Sequence, residues 1–304
     1  MSTSTEAVWT LGSLLDWTAK HLAQKQIDTA RLDAEVLLAH VVGCKRIDLY
    51  GTRYAEVAPG EVKQQYRELI RKRLEGCPVA YLVGRKEFYG LEFKVTPAVL
   101  IPRPDSEHVV IECLTLAKAF TPRPFAGEGL GVRGPRILDI GVGSGNLAIT
   151  LAKHHPTADV TAIDQSADAL KIAQENAAKH GVAGRIRFLE GDLFSPLAAD
   201  EKFDFIVSNP PYIADEDIPK LPVGVRAFEP LAALQGGPGG FVVFDRLITE
   251  ARSRLTPGGY LIIEIGSPQE KPAREKLAAI AEFELAPTIY DSSGHPRVLR
   301  VKRQ

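Results

Sequence analysis

Three cysteines in 304 residues, Cys44, Cys77 and Cys113, are too few and too scattered to brace this chain. They are odd in number and include no C-x-x-C pair, which argues against a disulfide framework or a structural zinc site. Their expected state is reduced, in a cytoplasm. An excess of one charge is also missing. The 37 Lys and Arg stand against 38 Asp and Glu, a formal net charge of -1. A protein whose main ligand is a phosphate backbone is usually far more basic, so composition leaves room only for local basic patches. No run of 18 apolar residues occurs, so no spanning helix is expected. The first nine residues are polar, with no basic flank or apolar centre, unlike a signal peptide. The seven histidines show no H-E-x-x-H or other paired metal spacing, and no metal is expected. What remains is 45% hydrophobic and 25% charged, ordinary for a globular protein. A chain of this length can bury most of its apolar surface without staples.

Apolar spacing divides the chain. Residues 11–24 place Leu11, Leu14, Leu15, Thr18 and Leu22 on one helical face, and residues 29–42 do the same with Leu32, Val36, Leu37 and Val41. Gly43 is a natural stop. A third, polar helix follows Pro59 and Gly60 and runs to about Leu74. These segments predict a small helical bundle over 1–85. Its Arg67, Arg71, Lys72 and Arg73 read as a solvated face, or as a contact to an acidic partner. Residues 86–100 alternate around Gly90 and predict a hairpin linker. Residues 121–135 hold three prolines and four glycines and read as an irregular loop. Over 101–304, short apolar runs alternate with helical patterns. Strands are predicted at 136–140, 160–164, 186–190, 203–209, 259–266, 285–290 and 298–303, with helices at 144–154, 167–179 and 240–254. This is the signature of βαβ units, hence an α/β fold with a mostly parallel seven-stranded sheet. The last two strands are joined by a turn near Ser292 and Gly294, so the final strand should run antiparallel.

Residues 137–150 read ILDIGVGSGNLAIT, a strand, a glycine turn and a helix. Glycines at a strand's carboxyl end let the backbone turn tightly and approach a ligand. The dinucleotide spacing G-x-G-x-x-G fails, because position 146 is Asn. The observed Gly141, Val142, Gly143, Ser144 and Gly145, with Asp139 ahead, resemble the loop of S-adenosylmethionine enzymes. Asp164 ends the next strand, where a carboxylate can accept both ribose hydroxyl protons. Asp192 resembles the position that meets an adenine amino group, and Leu193 could cover the ring or donate its backbone N–H. Each also has an ordinary reading as turn chemistry.

Residues 207–212 read VSNPPY after the fourth strand, on the side where ligands of open α/β sheets bind. An amide nitrogen is a poor nucleophile because its lone pair is delocalised. The Asn209 side-chain oxygen and the Pro210 carbonyl could each accept one of its N–H bonds and favour the rehybridisation that frees the lone pair. Pro210 and Pro211 fix the backbone that aims that carbonyl. The Tyr212 ring could pack on the flat acceptor group. No strong general base is needed, since the product nitrogen is very acidic until it loses its proton.

Four segments resemble the PrmC/HemK family of protein-(glutamine) methyltransferases. They are 100–107 (LIPRPDSE), the glycine loop, the NPPY tetrapeptide, and 225–234 with its Phe-Glu-Pro-Leu centre; the ending, with Asp291, Gly294, Arg297 and Val298, also fits. NPPY is shared with several amino-methyltransferase families, whereas IPRP-x-x-E is more specific to this one. The resemblance implies a Rossmann-like class I methyltransferase behind a helical substrate-recognition domain. It implies S-adenosyl-L-methionine as donor, S-adenosyl-L-homocysteine as product, and the glutamine of a Gly-Gly-Gln motif in release factors as acceptor. Leu100 would line the glutamine pocket, and Arg103 and Glu107 would sit near the cofactor's amino-acid end or form an ion pair at a helix start. Three features depart from the pattern: a longer 121–135 loop, an extra residue before Glu229, and no acidic residue near Gly239. No direct nucleic-acid substrate and no membrane are expected, and the expected state is a cytoplasmic monomer. Two rival readings stay open, a DNA or RNA amino-methyltransferase and a cofactor-binding module without turnover. Glu264 reads as a buried hydrogen-bond partner near the site or as a cap on a neighbouring loop.

Overall fold

The computed structural model describes residues 8–119, 123–124 and 132–304. The chain forms two compact units. One takes the residues through Gly84 together with Val223–Phe228, and the other takes Arg85–Pro222 and Glu229–Gln304.

The first unit is helical: α1 (Leu11–Gln24), α2 (Ala30–Val42), α3 (Gly60–Leu74) and the short α4 (Val79–Val83), with α8 (Val223–Arg226) contributed from later in the chain. Helix α1 starts at a capping box. The Thr10 hydroxyl accepts from the Ser13 N–H at 3.1 Å, and the Ser13 hydroxyl accepts from the Thr10 N–H at 2.9 Å. Its buried face carries Leu11, Leu15, Thr18 and Leu22, as the spacing predicts. Helix α2 ends at Gly43 in the left-handed conformation, φ 69°. Its buried face is rotated from the expected one. Leu32 is exposed, while Asp33, Ala34, Glu35, Leu37 and Leu38 are buried. The reason is charge pairing. Arg73 Nε donates to Asp33 at 2.7 Å, and Arg46 Nη2 donates to Glu35 at 2.7 Å, so two carboxylates occupy positions that hydrophobic patterning assigns to solvent. Arg73 therefore leaves the basic face expected on α3, and Arg71 is held by Glu68 and Glu75.

The second unit opens with the hairpin β1 (Arg85–Phe88) and β2 (Leu91–Lys94), turning at Tyr89 and Gly90. Helix α5 (Glu107–Lys118) follows the IPRP segment and has no counterpart among the helices predicted from spacing. Of the expected loop 121–135, residues 121–122 and 125–131 lie outside the described residues. Within it, β3 (Arg123–Pro124) pairs antiparallel with β4 (Val132–Arg133).

The main sheet contains β5 (Arg136–Ile140), β6 (Asp159–Asp164), β7 (Ile186–Glu190), β8 (Phe203–Ser208), β9 (Leu255–Glu264), β10 (Phe283–Leu285), β11 (Ile289–Tyr290) and β12 (Pro296–Arg303). Its order is β10-β12-β9-β8-β5-β6-β7, with β11 pairing off this path to β12. Strands β5 to β9 are mutually parallel, and β12 runs antiparallel to β9, as expected. The strand predicted at 285–290 is two short strands interrupted at Pro287, which cannot donate to the ladder.

Helices α6 (Asn146–His154), α7 (Ala167–Lys179), α9 (Val242–Arg254) and α10 (Glu270–Ala278) cover the sheet. Alternation along the strands decides which side each helix takes. Ile137, Phe205, Val207, Ile262 and Val298 pack with α5, α6 and α7. Leu138, Ile206, Leu261, Ile263 and Leu299 pack with α9 and α10. Both faces are dry, which is why these strands read as nearly continuous apolar runs. From β5 the chain winds outward to β6 and β7, and from β8 it winds the other way to β9. The winding reverses between β5 and β8, where a crevice opens at the carboxyl ends of the strands.

Leu261 is fully buried in β9 against this second core. Leu261→Ala should cost about 2–5 kcal/mol. Urea titration should show a lower midpoint at unchanged m-value, and an unchanged midpoint would contradict the packing described.

Candidate active site

Strands β5 and β8 are neighbours in parallel register, with Ile140 opposite Ser208. The next residues, Gly141 after β5 and Asn209 after β8, therefore emerge side by side. The Ser208 hydroxyl donates to the Ile140 carbonyl at 2.7 Å and binds the two strand ends together. Both loops line one cavity of about 350 Å³. Its walls include Gly141, Val142, Gly143, Ser144, Asp164, Asp192, Leu193, Asn209, Pro210, Pro211, Leu100 and Arg103.

The glycine turn is shaped for a ligand. Gly141 and Gly143 adopt φ 77° and 52°, and a Cβ on either would meet no protein atom within 4 Å, so the backbone there faces open space in the cavity wall. Gly145 differs from expectation. It does not line the cavity but caps α6 at φ 85°, and a Cβ on it would stand 2.5 Å from Ile149 Cδ1 and 3.3 Å from the Ala173 Cβ. Its role is close packing between α6 and α7.

Asp164 ends β6 with its carboxylate at the cavity wall. Oδ2 accepts from the Gly143 N–H at 2.8 Å and Oδ1 from the Ser166 N–H at 3.0 Å. A carboxylate offers about four lone-pair sites, so each oxygen can still take a hydroxyl proton. Burial raises its pKa, and the backbone N–H groups of Gly143 and Ser166 oppose that rise. Asp139 lies behind the turn, buried, with Oδ2 accepting from the Ala148 N–H of the first turn of α6 at 3.0 Å. Its other oxygen has no hydrogen-bond partner among the described residues, and burial pushes its pKa up to about 7. Asp192 accepts from Arg246 Nη2 at 2.6 Å, an exposed pair at the cavity wall. Leu193 is buried and holds φ 49°, unusual for a residue with a branched side chain.

Across the crevice, Asn209 Nδ2 donates to the Ser106 hydroxyl at 3.0 Å, and that hydroxyl donates to Glu264 Oε2 at 2.6 Å. Glu264 is buried, and desolvation pushes its pKa up to about 7. Tyr212 is not among the residues that line the cavity. Its ring packs on Gly266, its carbonyl accepts from Gln269 Nε2 at 3.1 Å, and burial beside Glu264 raises its phenol pKa.

The IPRP segment also resolves differently from its expected pairing. Arg103 lines the cavity and is paired with the buried Glu229, which also accepts from the Ile101 N–H at 3.2 Å. Glu107 turns away, its Oε1 accepting from the Tyr89 N–H at 2.9 Å. Thus Glu229, from the Phe-Glu-Pro-Leu segment, is the partner of Arg103.

Comparison with known proteins matches a methyltransferase small domain over residues 128–223 and a PrmC N-terminal domain over residues 13–84. The release factor glutamine methyltransferase of Rhodopirellula baltica is 42% identical over 306 residues, spanning 99% of each chain. The chain belongs to the release factor glutamine methyltransferase family. The enzyme of that name from Geobacter sulfurreducens is 42% identical over 86% of each chain. The one from Salmonella typhimurium is 38% identical over 89% of this chain and 91% of its own.

In this release factor glutamine methyltransferase sequence the loops are legible from their motifs and Glu264 as a buried partner behind them, but Ser106 and Asn176 are not. Ser106 sits within the IPRP-x-x-E segment, where attention fell on the charged residues to either side. Asn176, in the middle of α7, gave no signal beyond being a polar residue at a core-facing helical position. It is fully buried. Its Nδ2 donates to the Ser144 carbonyl at 2.8 Å and to the Lys94 carbonyl at 3.0 Å, and its Oδ1 accepts from the Lys94 N–H at 2.7 Å. One side chain thus ties the glycine turn to β2. Asn176→Ala should cost about 3 kcal/mol, because three backbone groups lose their partner. Amide exchange at Ser144 and Gly145 should quicken by on the order of tenfold. Unchanged exchange there would remove Asn176 as the anchor of the turn.

Proposed function

We propose that this chain transfers the methyl group of S-adenosyl-L-methionine to the side-chain amide nitrogen (N5) of the glutamine in the Gly-Gly-Gln motif of peptide chain release factors, with S-adenosyl-L-homocysteine as product. One observation carries the reading: the Gly141–Gly143 turn and the Asn209–Pro211 loop line the same cavity, brought there by the pairing of β5 with β8. Membership in the release factor glutamine methyltransferase family supports the choice of acceptor.

The residues present suit the cofactor. A nucleoside with two neighbouring hydroxyls matches the free lone pairs of Asp164, and the side-chain-free backbone at Gly141 and Gly143 allows a bulky ligand to lie against it. Bound there, S-adenosyl-L-methionine supplies an electrophilic methyl carbon on a sulfonium centre. Asn209 and Pro210 act on the acceptor. With its NH2 turned to Ser106, Asn209 presents Oδ1 to one N–H of the glutamine amide, and the Pro210 carbonyl takes the other. Two acceptors orient the nitrogen lone pair for in-line attack. The new bond joins nitrogen to the methyl carbon as the carbon–sulfur bond breaks, and the nitrogen then sheds a proton to water. Positioning of this kind can supply up to about 7–11 kcal/mol of barrier reduction. Leu100 and Pro211 give the glutamine methylenes an apolar wall.

Asp164→Ala should weaken S-adenosyl-L-methionine binding by roughly 10–100-fold in isothermal titration, the loss of hydrogen bonds to a charged acceptor. Unaltered affinity would move the ribose contact elsewhere.

Asn209→Ala should leave cofactor affinity within a few-fold and lower turnover by roughly 10²–10³. The assay incubates labelled cofactor with a recombinant release factor, with tRNA or with duplex DNA, followed by mass spectrometry of the release-factor peptide for one added methyl on glutamine. Label confined to nucleic acid would overturn the glutamine assignment, and cofactor binding without any transfer would favour a binding module.

A further inference from the structure

Asn209 can act as an acceptor only if its carboxamide points the right way. A carboxamide has an oxygen at one end and an NH2 at the other, of nearly the same shape, and rotation about its last side-chain bond exchanges them. An NH2 aimed into the cavity would meet the NH2 of a glutamine amide, donor against donor. The tetrapeptide does not settle this by itself.

The neighbours of Asn209 do settle it. Ser106, at the end of the turn Pro104–Ser106 and fully buried, touches Asn209 on one side and Glu264 on the other. A serine hydroxyl carries one proton. Glu264, a buried carboxylate at the carboxyl end of β9, accepts that proton at 2.6 Å. Only lone pairs then remain on Ser106 for Asn209, and only the NH2 end of a carboxamide can satisfy them, as it does at 3.0 Å. Oδ1 is left at the other end. An acceptor-only group three atoms away thus fixes the polarity of the acceptor site. We propose that Ser106 and Glu264 are positioning residues that lock the carboxamide of Asn209 with its oxygen toward the substrate, and so make the site select an amide nitrogen over a carboxylate. A glutamate side chain offers no N–H, and its oxygens would face Asn209 Oδ1 and the Pro210 carbonyl, acceptor against acceptor. This rests on the reading of Asn209 as the group that holds the glutamine amide.

Four neighbours set the charge of Glu264: Ser106 and Asp105 from the turn before α5, Tyr212 from the tetrapeptide loop, and Arg297 from β12. Arg297 and the Ser106 and Tyr212 hydroxyls favour the carboxylate, while burial and Asp105 oppose it. Arg297 is also shared between Asp105 at 3.1 Å and Asp291 at 2.9 Å. Once protonated, Glu264 can itself donate to Ser106, whose proton is then free to turn toward Asn209. The lock holds above the Glu264 pKa and is released below it.

The test is a set of variants of the full chain, assayed for methyl transfer to a release factor, with cofactor affinity measured by calorimetry. Ser106→Ala should lower kcat by roughly 10–10²-fold while the cofactor Kd stays within about twofold, and Ser106→Thr, which keeps the hydroxyl, should recover most of that loss. The double variant Ser106→Ala with Asn209→Ala should be no slower than Asn209→Ala alone, because Ser106 acts only through Asn209. The acid limb of wild-type kcat, expected near pH 7, should disappear in Glu264→Gln. A Ser106→Ala enzyme with wild-type kcat, or a double variant slowed by the product of the two single losses, would overturn the inference while leaving Asn209 in its role. A wild-type chain that leaves the glutamine unmethylated would overturn the reading of the site and this inference with it.

Discussion

The site depends on one pairing, β5 beside β8 in parallel register with Ile140 opposite Ser208. Neither the glycine turn nor the tetrapeptide can form the crevice alone. In the proposed reading the turn gives a ligand-accessible backbone and the tetrapeptide two acceptors, and methyl transfer needs the nitrogen and the methyl carbon held between them to come within about 3–3.5 Å. Sheet hydrogen bonding fixes the spacing of the two loops with no contribution from the ligands. The dry cores on both faces fix the register in turn, because a one-residue slip of β8 would exchange Ile206 with Phe205 and Val207 and place each against the wrong layer. The apolar residues of the sheet are therefore part of the catalytic geometry.

Polar groups buried behind the crevice make up the second level of this order. Asp139 holds the first turn of α6, Asn176 holds the Ser144 carbonyl and Glu264 holds Ser106, while the half-buried Gln269 bonds both the Tyr212 and Gly240 carbonyls. A buried carboxyl is costly, and the raised pKa values of Asp139 and Glu264, both pushed to about 7 by desolvation, express that cost. Each of these groups contacts a loop that lines the cavity or the helix directly behind it. In the second unit several of the buried polar groups lie where irregular backbone has to be held, while Thr150, Thr161 and Asp204 are buried in regular elements and Asp33 and Glu35 in the helical unit.

How legible all this was in the sequence depends on the range of the forces involved. Periodicity found strands β5 to β8 within a residue or two, because burial on both faces leaves an unbroken apolar run. Helical apolar spacing found α1, α6, α7 and α9, and Pro59 with Gly60 marked the start of the polar α3. It misplaced the buried face of α2, since Asp33 and Glu35 are buried through arginines remote in sequence. Helices α5 and α10 went unread, and the 285–290 strand was read as one where Pro287 makes two. In the site, residues that face the cavity through backbone geometry were readable from local motifs: Gly141, Gly143, Asp164, Asn209 and Pro210 all line it. Errors fell on side chains whose partners come from elsewhere. Glu107 looked like the companion of Arg103 by proximity, yet Glu229 fills that place from a segment 126 residues away.

A wider point follows about specificity within this chemistry. In the proposed reading Asn-Pro-Pro-Tyr accepts two N–H bonds from a flat nitrogen, and exocyclic amines of bases satisfy that description as well as a glutamine amide does. The tetrapeptide therefore cannot choose the substrate class. Selection must come from what surrounds it. In this chain the described cavity wall holds the apolar Leu100 and Pro211 together with Asn209. The described arginines at the wall, Arg103 and Arg246, are already paired with Glu229 and Asp192. An arginine neutralised by an internal carboxylate contributes little counterion release.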